Sequence, residues 1–94
     1  MKQILTKLKM PNRNYINGRA REYKVKWALE RLGMISFRSA GSHSPIDVIG
    51  IDPEKRIIKL IQCKPKSMSQ NKRNEILEAN KGLQGTFQVT FEVV

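Results

Sequence analysis

Two apolar runs separated by a short turn constrain the fold of this chain more than any other feature. The runs cover residues 45–51 and 56–64, and residues 52–55 between them carry Pro53 just after the first turn position. Runs of this length that are rich in isoleucine are typical of β-strands. The sequence therefore predicts a β-hairpin in the middle of the chain.

Polar side chains lie at the adjoining ends of these two predicted strands. Asp47 interrupts an apolar run, where a carboxylate is unfavourable unless it has a partner. Because side chains alternate along a strand, Gln62 and Lys64 share one face and Cys63 takes the other. The hairpin can thus bring together a carboxylate, an amide oxygen and an ammonium, which a metal-dependent phosphodiesterase requires. The alternative is that Asp47 binds only the amides of the preceding loop, residues 42–44.

The N-terminal third predicts a basic segment, a helix and a strand. Residues 1–16 are basic and broken by Pro-Asn, which indicates a flexible arm or a short edge element. Asn17 is a suitable helix cap, and apolar residues at spacings of three, four and seven predict a helix over 19–32. Gly33 is expected to end this helix in a left-handed conformation. Residues 34–39 read as a strand.

The C-terminal third predicts a second helix and a last strand. Ser69 is a suitable cap for a helix over 70–81, and residues 86–93 alternate apolar and polar side chains, as a half-buried strand does. The resulting order is αβββαβ. It indicates an α/β (α+β) fold in which one mixed β-sheet is flanked by helices, with residues 1–94 forming a single domain.

The net charge of +10 is large for 94 residues and is concentrated near the N-terminus. Residues 1–26 hold eight basic side chains and one acid, Glu22. Such an excess favours a polyanionic partner, most often nucleic acid, although solubility alone is the simpler explanation. Phosphate contacts would give salt-dependent affinity without sequence preference.

Composition also bears on location. The apolar runs are far too short to span a membrane, and the first ten residues lack the features of a secretory signal. The single cysteine excludes an internal disulfide and, without neighbouring Cys or His ligands, a structural zinc site. We therefore expect a cytoplasmic protein with no membrane association.

Four segments, 18–22, 37–42, 46–49 and 61–64, resemble in order and spacing those of the archaeal Holliday junction resolvase family. That family belongs to the PD-(D/E)xK nuclease superfamily. The resemblance covers residues 17–66, and the Arg-Ser-Ala-Gly-Ser sequence is its most specific part. It implies a restriction-endonuclease-like fold, a branched or duplex DNA substrate and a homodimer.

The resemblance also implies a role for each polar residue. Glu22 corresponds to the helix carboxylate, Asp47 to the principal metal ligand, and Lys64 to the catalytic lysine. Gln62 stands where resolvases typically have glutamate, and a Gln-x-Lys sequence is similar to the Mrr-like restriction endonucleases. The cation would be Mg²⁺, with Mn²⁺ as a substitute, held by Glu22, Asp47, Gln62 and the backbone carbonyl of Cys63.

The implied function is a Mg²⁺-dependent, structure-selective DNA endonuclease. Two alternatives are a catalytically weak or inactive DNA-binding module with the same fold, and a regulatory protein whose basic face recruits RNA or another protein. His43, the only histidine, lies in a Ser/Gly loop and is expected to be a surface residue or a phosphate contact rather than a general base. The residues expected to contact DNA are Arg19, Arg21, Arg38, Ser39, Ser42, His43 and Lys66.

Overall fold

The computed structural model of the protein describes residues 13–39 and 43–94. Within these ranges the chain forms two α-helices, three strands and one turn of 3₁₀ helix. The elements are α1 (Arg13–Arg31), β1 (Ile35–Arg38), β2 (Val48–Asp52), β3 (Ile57–Ile61), α2 (Gln70–Ala79) and the 3₁₀ turn Lys81–Leu83. The strands form one antiparallel sheet in the order β1-β2-β3. The predicted combination of helices with a sheet is confirmed.

Two details of the predicted fold are wrong. The sheet is wholly antiparallel rather than mixed, and the last strand predicted over 86–93 is not formed. Residues 84–94 are exposed and have no helix or strand. Alternating side chains make a segment suitable for a half-buried strand, but a strand also needs a neighbour for its backbone N–H and C=O groups. The described order is therefore αβββα.

The start of α1 differs from the prediction, whereas its end agrees with it. The helix is already formed at Arg13, so the Asn17-Gly18 pair lies inside it; residues 1–12 lie outside the described residues. One glycine inside a helix costs only about 1 kcal/mol, which a helix of this length tolerates. At the other end Gly33 adopts φ +86°, and the amide of Met34 donates to the Leu29 carbonyl at 3.1 Å. This is the Schellman ending that the glycine predicts.

The hairpin and the cap of α2 form as predicted, each through a local side-chain hydrogen bond. Oδ1 of Asp52 accepts from the amides of Glu54 and Lys55 at 3.1 and 3.0 Å, which closes the turn between β2 and β3. Oγ of Ser69 accepts from the amide of Lys72 at 3.2 Å and caps α2. Both polar side chains satisfy backbone donors that the turn or helix end leaves free.

Helix α1 covers one face of the sheet, and the small core lies between them. Leu29, Met34 and Val48 are the buried residues of this core, and a Cβ placed on Gly50 would lie 2.8 Å from Cδ1 of Leu29. The glycine in β2 therefore lets the helix approach the strand closely. Three further residues pack partly against the core, Val25, Ile61 and Cys63.

The second face of the sheet is apolar and largely open. The register places Phe37, Ile49 and Leu60 side by side across the three strands, with Ile35, Ile51 and Ile58 in the next row. Across a groove of about 900 Å³ lie α2, the 3₁₀ turn and part of the C-terminal segment. Helix α2 contains no buried residue. In the described ranges, no helix combines the length and apolar character needed to cross a bilayer.

Candidate active site

Asp47 joins all three strands at one end of the sheet. It directly precedes β2, where its amide donates to the carbonyl of Ile61 at 2.8 Å and its carbonyl accepts from the amide of Ser39 at 2.8 Å. Its side-chain Oδ2 accepts from the amide of Cys63 at 2.8 Å. The Asp47 carboxylate is therefore hydrogen-bonded to the backbone of Cys63, the middle residue of the segment 62–64 and sixteen residues further along the chain.

Glu22 is held at the sheet by an ion pair from α1 to β1. Nη1 of Arg38 donates to Oε1 of Glu22 at 2.8 Å, and both side chains are half-buried. The Arg38 guanidinium also lies 4.9 Å from the centre of the Tyr23 ring, a cation–π contact. The hydrogen bond to Glu22 raises the pKa of Arg38 above its usual value. This arrangement fixes the helix carboxylate against the end of β1.

The Cys63 thiol lies within the electrostatic influence of both carboxylates. Burial, followed by the charges of Asp47 and Glu22, raises the pKa of this thiol to about 11, and the charge of Arg21 acts in the opposite direction. The contacts of Asp47 with the Cys63 amide and of Glu22 with Arg38 place both carboxylates at the same end of the sheet.

Gln62 and Lys64 line the groove on the open face, with Ile58 and Leu60. Cys63 packs towards the core on the other face, as side-chain alternation predicts. The lining of the groove does not include Asp47. Asp47 is bonded to the backbone of Cys63, between Gln62 and Lys64, and the convergence of these side chains on one cation stays a prediction.

The oxygen atoms at this end of the sheet fit a hard divalent cation in their chemistry. Within residues 13–39 and 43–94, no three His, Cys, Asp or Glu side chains are grouped as metal ligands. A cation would therefore need the Gln62 amide oxygen and the Cys63 carbonyl beside the two carboxylates. The hydrogen bonds described above use Oδ2 of Asp47 and Oε1 of Glu22, and a carboxylate has further lone pairs for a ligand. An oxygen-only set completed by water is suited to Mg²⁺.

The residues predicted to contact DNA differ in exposure. Arg19, His43 and Lys66 are exposed, whereas Arg21, Arg38 and Ser39 are half-buried, and Ser42 lies outside the described residues. Arg38 is engaged by Glu22, a pairing that sequence reasoning missed. The two residues are sixteen positions apart on different elements, so no periodic pattern connects them. The Cys63 amide was missed as the partner of Asp47 because a backbone group leaves no compositional signal.

Comparison of the chain with family models, curated proteins and solved structures finds no match.

Proposed function

We propose that this protein is a metal-dependent DNA endonuclease, similar to Holliday junction resolvases over residues 17–66. The 2.8 Å hydrogen bond between Asp47 Oδ2 and the Cys63 amide carries the proposal. It joins the strand carboxylate to the Gln-Cys-Lys segment, two parts of the chain that were predicted to serve one site. The ion pair of Glu22 with Arg38, at the end of β1, adds the helix carboxylate at the same end of the sheet.

The chain's own residues supply the functions that phosphodiester hydrolysis needs. Asp47, the Gln62 amide oxygen and the Cys63 carbonyl would hold Mg²⁺ or Mn²⁺, with Glu22 joining directly or through water. When bound, the ion polarises the phosphate and lowers the pKa of a bound water. Lys64 orients the attacking water and offsets charge that develops on the phosphoryl oxygens. Since β3 ends at Ile61, the flexible four-carbon stem of Lys64 lies beyond the strand ladder and is able to turn towards a phosphate.

Exposed basic residues along α1 support DNA as the partner. Arg13, Arg19, Lys24 and Arg31 are exposed on this helix, and the chain as a whole carries a net charge of +10. Contacts of this kind neutralise backbone phosphates and release counterions. We therefore expect DNA affinity that falls steeply as the salt concentration rises.

A homodimer is part of the proposal, because symmetrical cutting of a branched DNA requires two sites. The open apolar face of the sheet supports it, since a contiguous exposed apolar surface on a small protein is typical of an interaction site. Light scattering should give twice the chain mass of 10.8 kDa. Ile58→Gln on this face should yield monomers, whereas Leu32→Gln, at an exposed position after α1, should not. A monomeric wild-type protein would contradict this part.

Asp47→Asn and Lys64→Ala test the nuclease proposal. Cleavage of four-way junction, flap, duplex and single-stranded DNA is measured with Mg²⁺ or Mn²⁺ and with EDTA. Both variants should lose cleavage and retain DNA binding. Asp52→Asn is the matched control, because Asp52 also accepts backbone amides at an end of β2 but lies by the hairpin turn. Cleavage that survives in Asp47→Asn would exclude the proposed role of this carboxylate.

A DNA-binding module without efficient cleavage is the second candidate. It is favoured by the amide at Gln62, which binds a cation less tightly than a carboxylate, and by the position of Gln62 and Lys64 along the groove. Salt-sensitive binding without cleavage in either metal would support it. Gln62→Glu separates the two further, because a metal-ligand role predicts that cleavage is retained or increased.

A further inference from the structure

The outer edge of β3 has no strand beside it in the part of the chain that the structure describes. The sheet order is β1-β2-β3, so β3 pairs with β2 on one side only. Residues 57–60 of this strand are all exposed. An edge strand presents unpaired backbone N–H and C=O groups, to which another extended segment can bond. This edge also borders the open apolar face, on which Ile58 and Leu60 lie.

Residues 86–93 have the sequence pattern of a strand but form none in the described chain. Their apolar side chains alternate with polar ones and are 54% to 93% exposed, at Phe87, Val89, Phe91 and Val93. Side chains that alternate in this way share one face of an extended segment. A row of large exposed apolar side chains is typical of a surface that another element covers.

The segment and the groove beside β3 are complementary in charge. Residues 82–94 contain no basic residue and one acid, Glu92, although the chain as a whole carries a net charge of +10. The groove is lined by three basic residues and one acid, Arg56, Lys64, Arg73 and Asp52. A segment without positive charge approaches this groove without repulsion, unlike the basic N-terminal part of the chain.

Strand alternation pairs one further charge on each side. When the apolar side chains of the segment continue the open face beside Ile58 and Leu60, Glu92 lies on the opposite face, which also carries Lys59. The ion pairs found within residues 13–39 and 43–94 include neither Glu92 nor Lys59. Opposite charges on neighbouring strands stabilise the pairing, and like charges destabilise it.

A second copy of the chain is the occupant that these observations favour. In the described chain residues 84–94 are exposed, although Phe87 and Val89 already line the groove opposite β3. Helix α2, which precedes the segment, has no buried residue. The radius of gyration is 16.8 Å, compared with roughly 13 Å for a compact domain of about 100 residues. The chain by itself thus leaves segment and edge apart, and a second copy offers a partner to each.

We propose that residues 86–93 of one copy add as a strand to the outer edge of β3 in a second copy, and that the exchange is reciprocal. The four apolar side chains of the segment then extend the open apolar face, and Glu92 lies beside Lys59. A two-fold exchange pairs the β3 edges of both copies and leaves neither open to a third. The proposal rests on the homodimer of the proposed function and names the segment that forms it.

Charge reversal tests whether the strand comes from the second copy. Lys59→Glu and Glu92→Lys each bring like charges together at both interfaces, so each variant alone should raise the dimer dissociation constant by about tenfold. An equimolar mixture of the two should dimerise with wild-type affinity, because every interface of a mixed dimer again pairs opposite charges. Sedimentation equilibrium measures the constants, and circular dichroism verifies that the variants fold.

Lys55→Glu is the matched control, since it changes the net charge equally at an exposed position in the hairpin turn. It should leave the dissociation constant unchanged. A mixture that dimerises no more tightly than its separate components would overturn the exchange, and so would wild-type affinity in both single variants.

Hydrogen exchange of backbone amides locates the added strand. The amides of residues 86–93 should exchange slowly in the dimer and rapidly after dilution to the monomer. Phe91→Ser should abolish both the protection and the dimer, whereas Leu32→Ser, at another exposed apolar position, should retain both. Protection of residues 86–93 in a monomer would place the segment on its own sheet. Rapid exchange in a stable dimer would place the interface elsewhere, and either result overturns the proposal.

These readouts separate the fate of this inference from that of the proposed function. A dimer that cleaves DNA while residues 86–93 exchange rapidly would refute the strand exchange and retain the nuclease. Strand exchange in a protein that never cleaves DNA would refute the nuclease and retain the exchange. A monomeric wild-type protein would refute the exchange together with the homodimer.

Discussion

The two faces of the sheet differ in how they are covered. On one face α1 lies close enough to β2 to bury Leu29, Met34 and Val48. On the other face the apolar rows of the three strands border an open groove, and α2 across it has no buried residue. This difference indicates which side contributes most to the stability of the described chain. Burial of apolar surface supplies most of the free energy of folding, so the α1 side should dominate stability.

Truncation of one leucine on each helix tests this contrast with the largest expected effect. Leu29 on α1 is 6% exposed and Leu77 on α2 is 55% exposed. Leu29→Ala should lower the free energy of unfolding by about 2–5 kcal/mol, because it leaves a cavity in the core. Leu77→Ala should lower it by less than about 1 kcal/mol. Urea unfolding measures both, and equal losses would mean that the α2 side is packed in solution.

The reactivity of Cys63 tests the burial on the face of the sheet that α1 covers. Its thiol pKa is raised from 9.0 to about 11, so near pH 8 the thiolate fraction and the rate of alkylation should be roughly 100-fold below those of an ordinary thiol. Asp47→Asn removes one of the charges that raise the pKa and should speed the reaction. Alkylation by iodoacetamide measures the rates, with the urea-unfolded protein as reference. A native rate equal to the unfolded rate would contradict the burial of Cys63.

The raised pKa of Cys63 also determines how the free energy of unfolding changes with pH. Above pH 9.0 the unfolded chain loses the Cys63 proton while the folded chain still keeps it. The unfolded state then binds fewer protons, so the free energy of unfolding falls as the pH rises from about 9 to about 11. Cys63→Ala should remove this part of the decline and leave the decline that other groups cause.

Alanine substitutions at two glycines test how closely α1 packs on β2. A Cβ on Gly50 would lie 2.8 Å from Cδ1 of Leu29 and 3.2 Å from Sδ of Met34, whereas a Cβ on Gly82 meets nothing within 4 Å. Gly50→Ala should therefore cost roughly 1–3 kcal/mol through overpacking. Gly82→Ala, beyond α2, should be nearly neutral. Thermal unfolding followed by circular dichroism compares them, and a stabilised Gly50→Ala protein would show that the helix has room to move.

The smallest expected effect comes from a comparison of two ion pairs, one on the α1 side of the sheet and one on the α2 side. Glu22 and Arg38 have side chains 19% and 21% exposed, whereas those of Lys72 and Glu75 on α2 are 65% and 68% exposed. A double-mutant cycle with Glu22→Gln and Arg38→Gln should give a coupling of about 1 kcal/mol, because the pair is partly shielded. The cycle at Lys72 and Glu75 should give less than about 0.5 kcal/mol. Similar coupling in both cycles would remove the distinction between the two sides.

Local signals in the sequence were reliable where neighbouring residues settle the structure. The turn after β2, the left-handed Gly33 and the Ser69 cap each involve hydrogen bonds or φ angles within a few residues. The start of α1 was predicted six residues too late, at 19 instead of 13, because one Asn-Gly pair is too weak a signal to stop a helix. For the candidate site, the sequence identified Glu22 and Asp47 but not the groups they bind.

The hairpin, the Gly33 end of α1 and the Ser69 cap of α2 follow from the sequence, because each depends on contacts between near neighbours. The hydrogen bond of Asp47 to the Cys63 amide, the pairing of Glu22 with Arg38 and the position of residues 86–94 outside the sheet follow only from the tertiary structure. These outcomes depend on strand register and on which face α1 covers. Backbone N–H and C=O groups are common to nearly all residue types, so no pattern along the chain predicts which of them meet across the sheet.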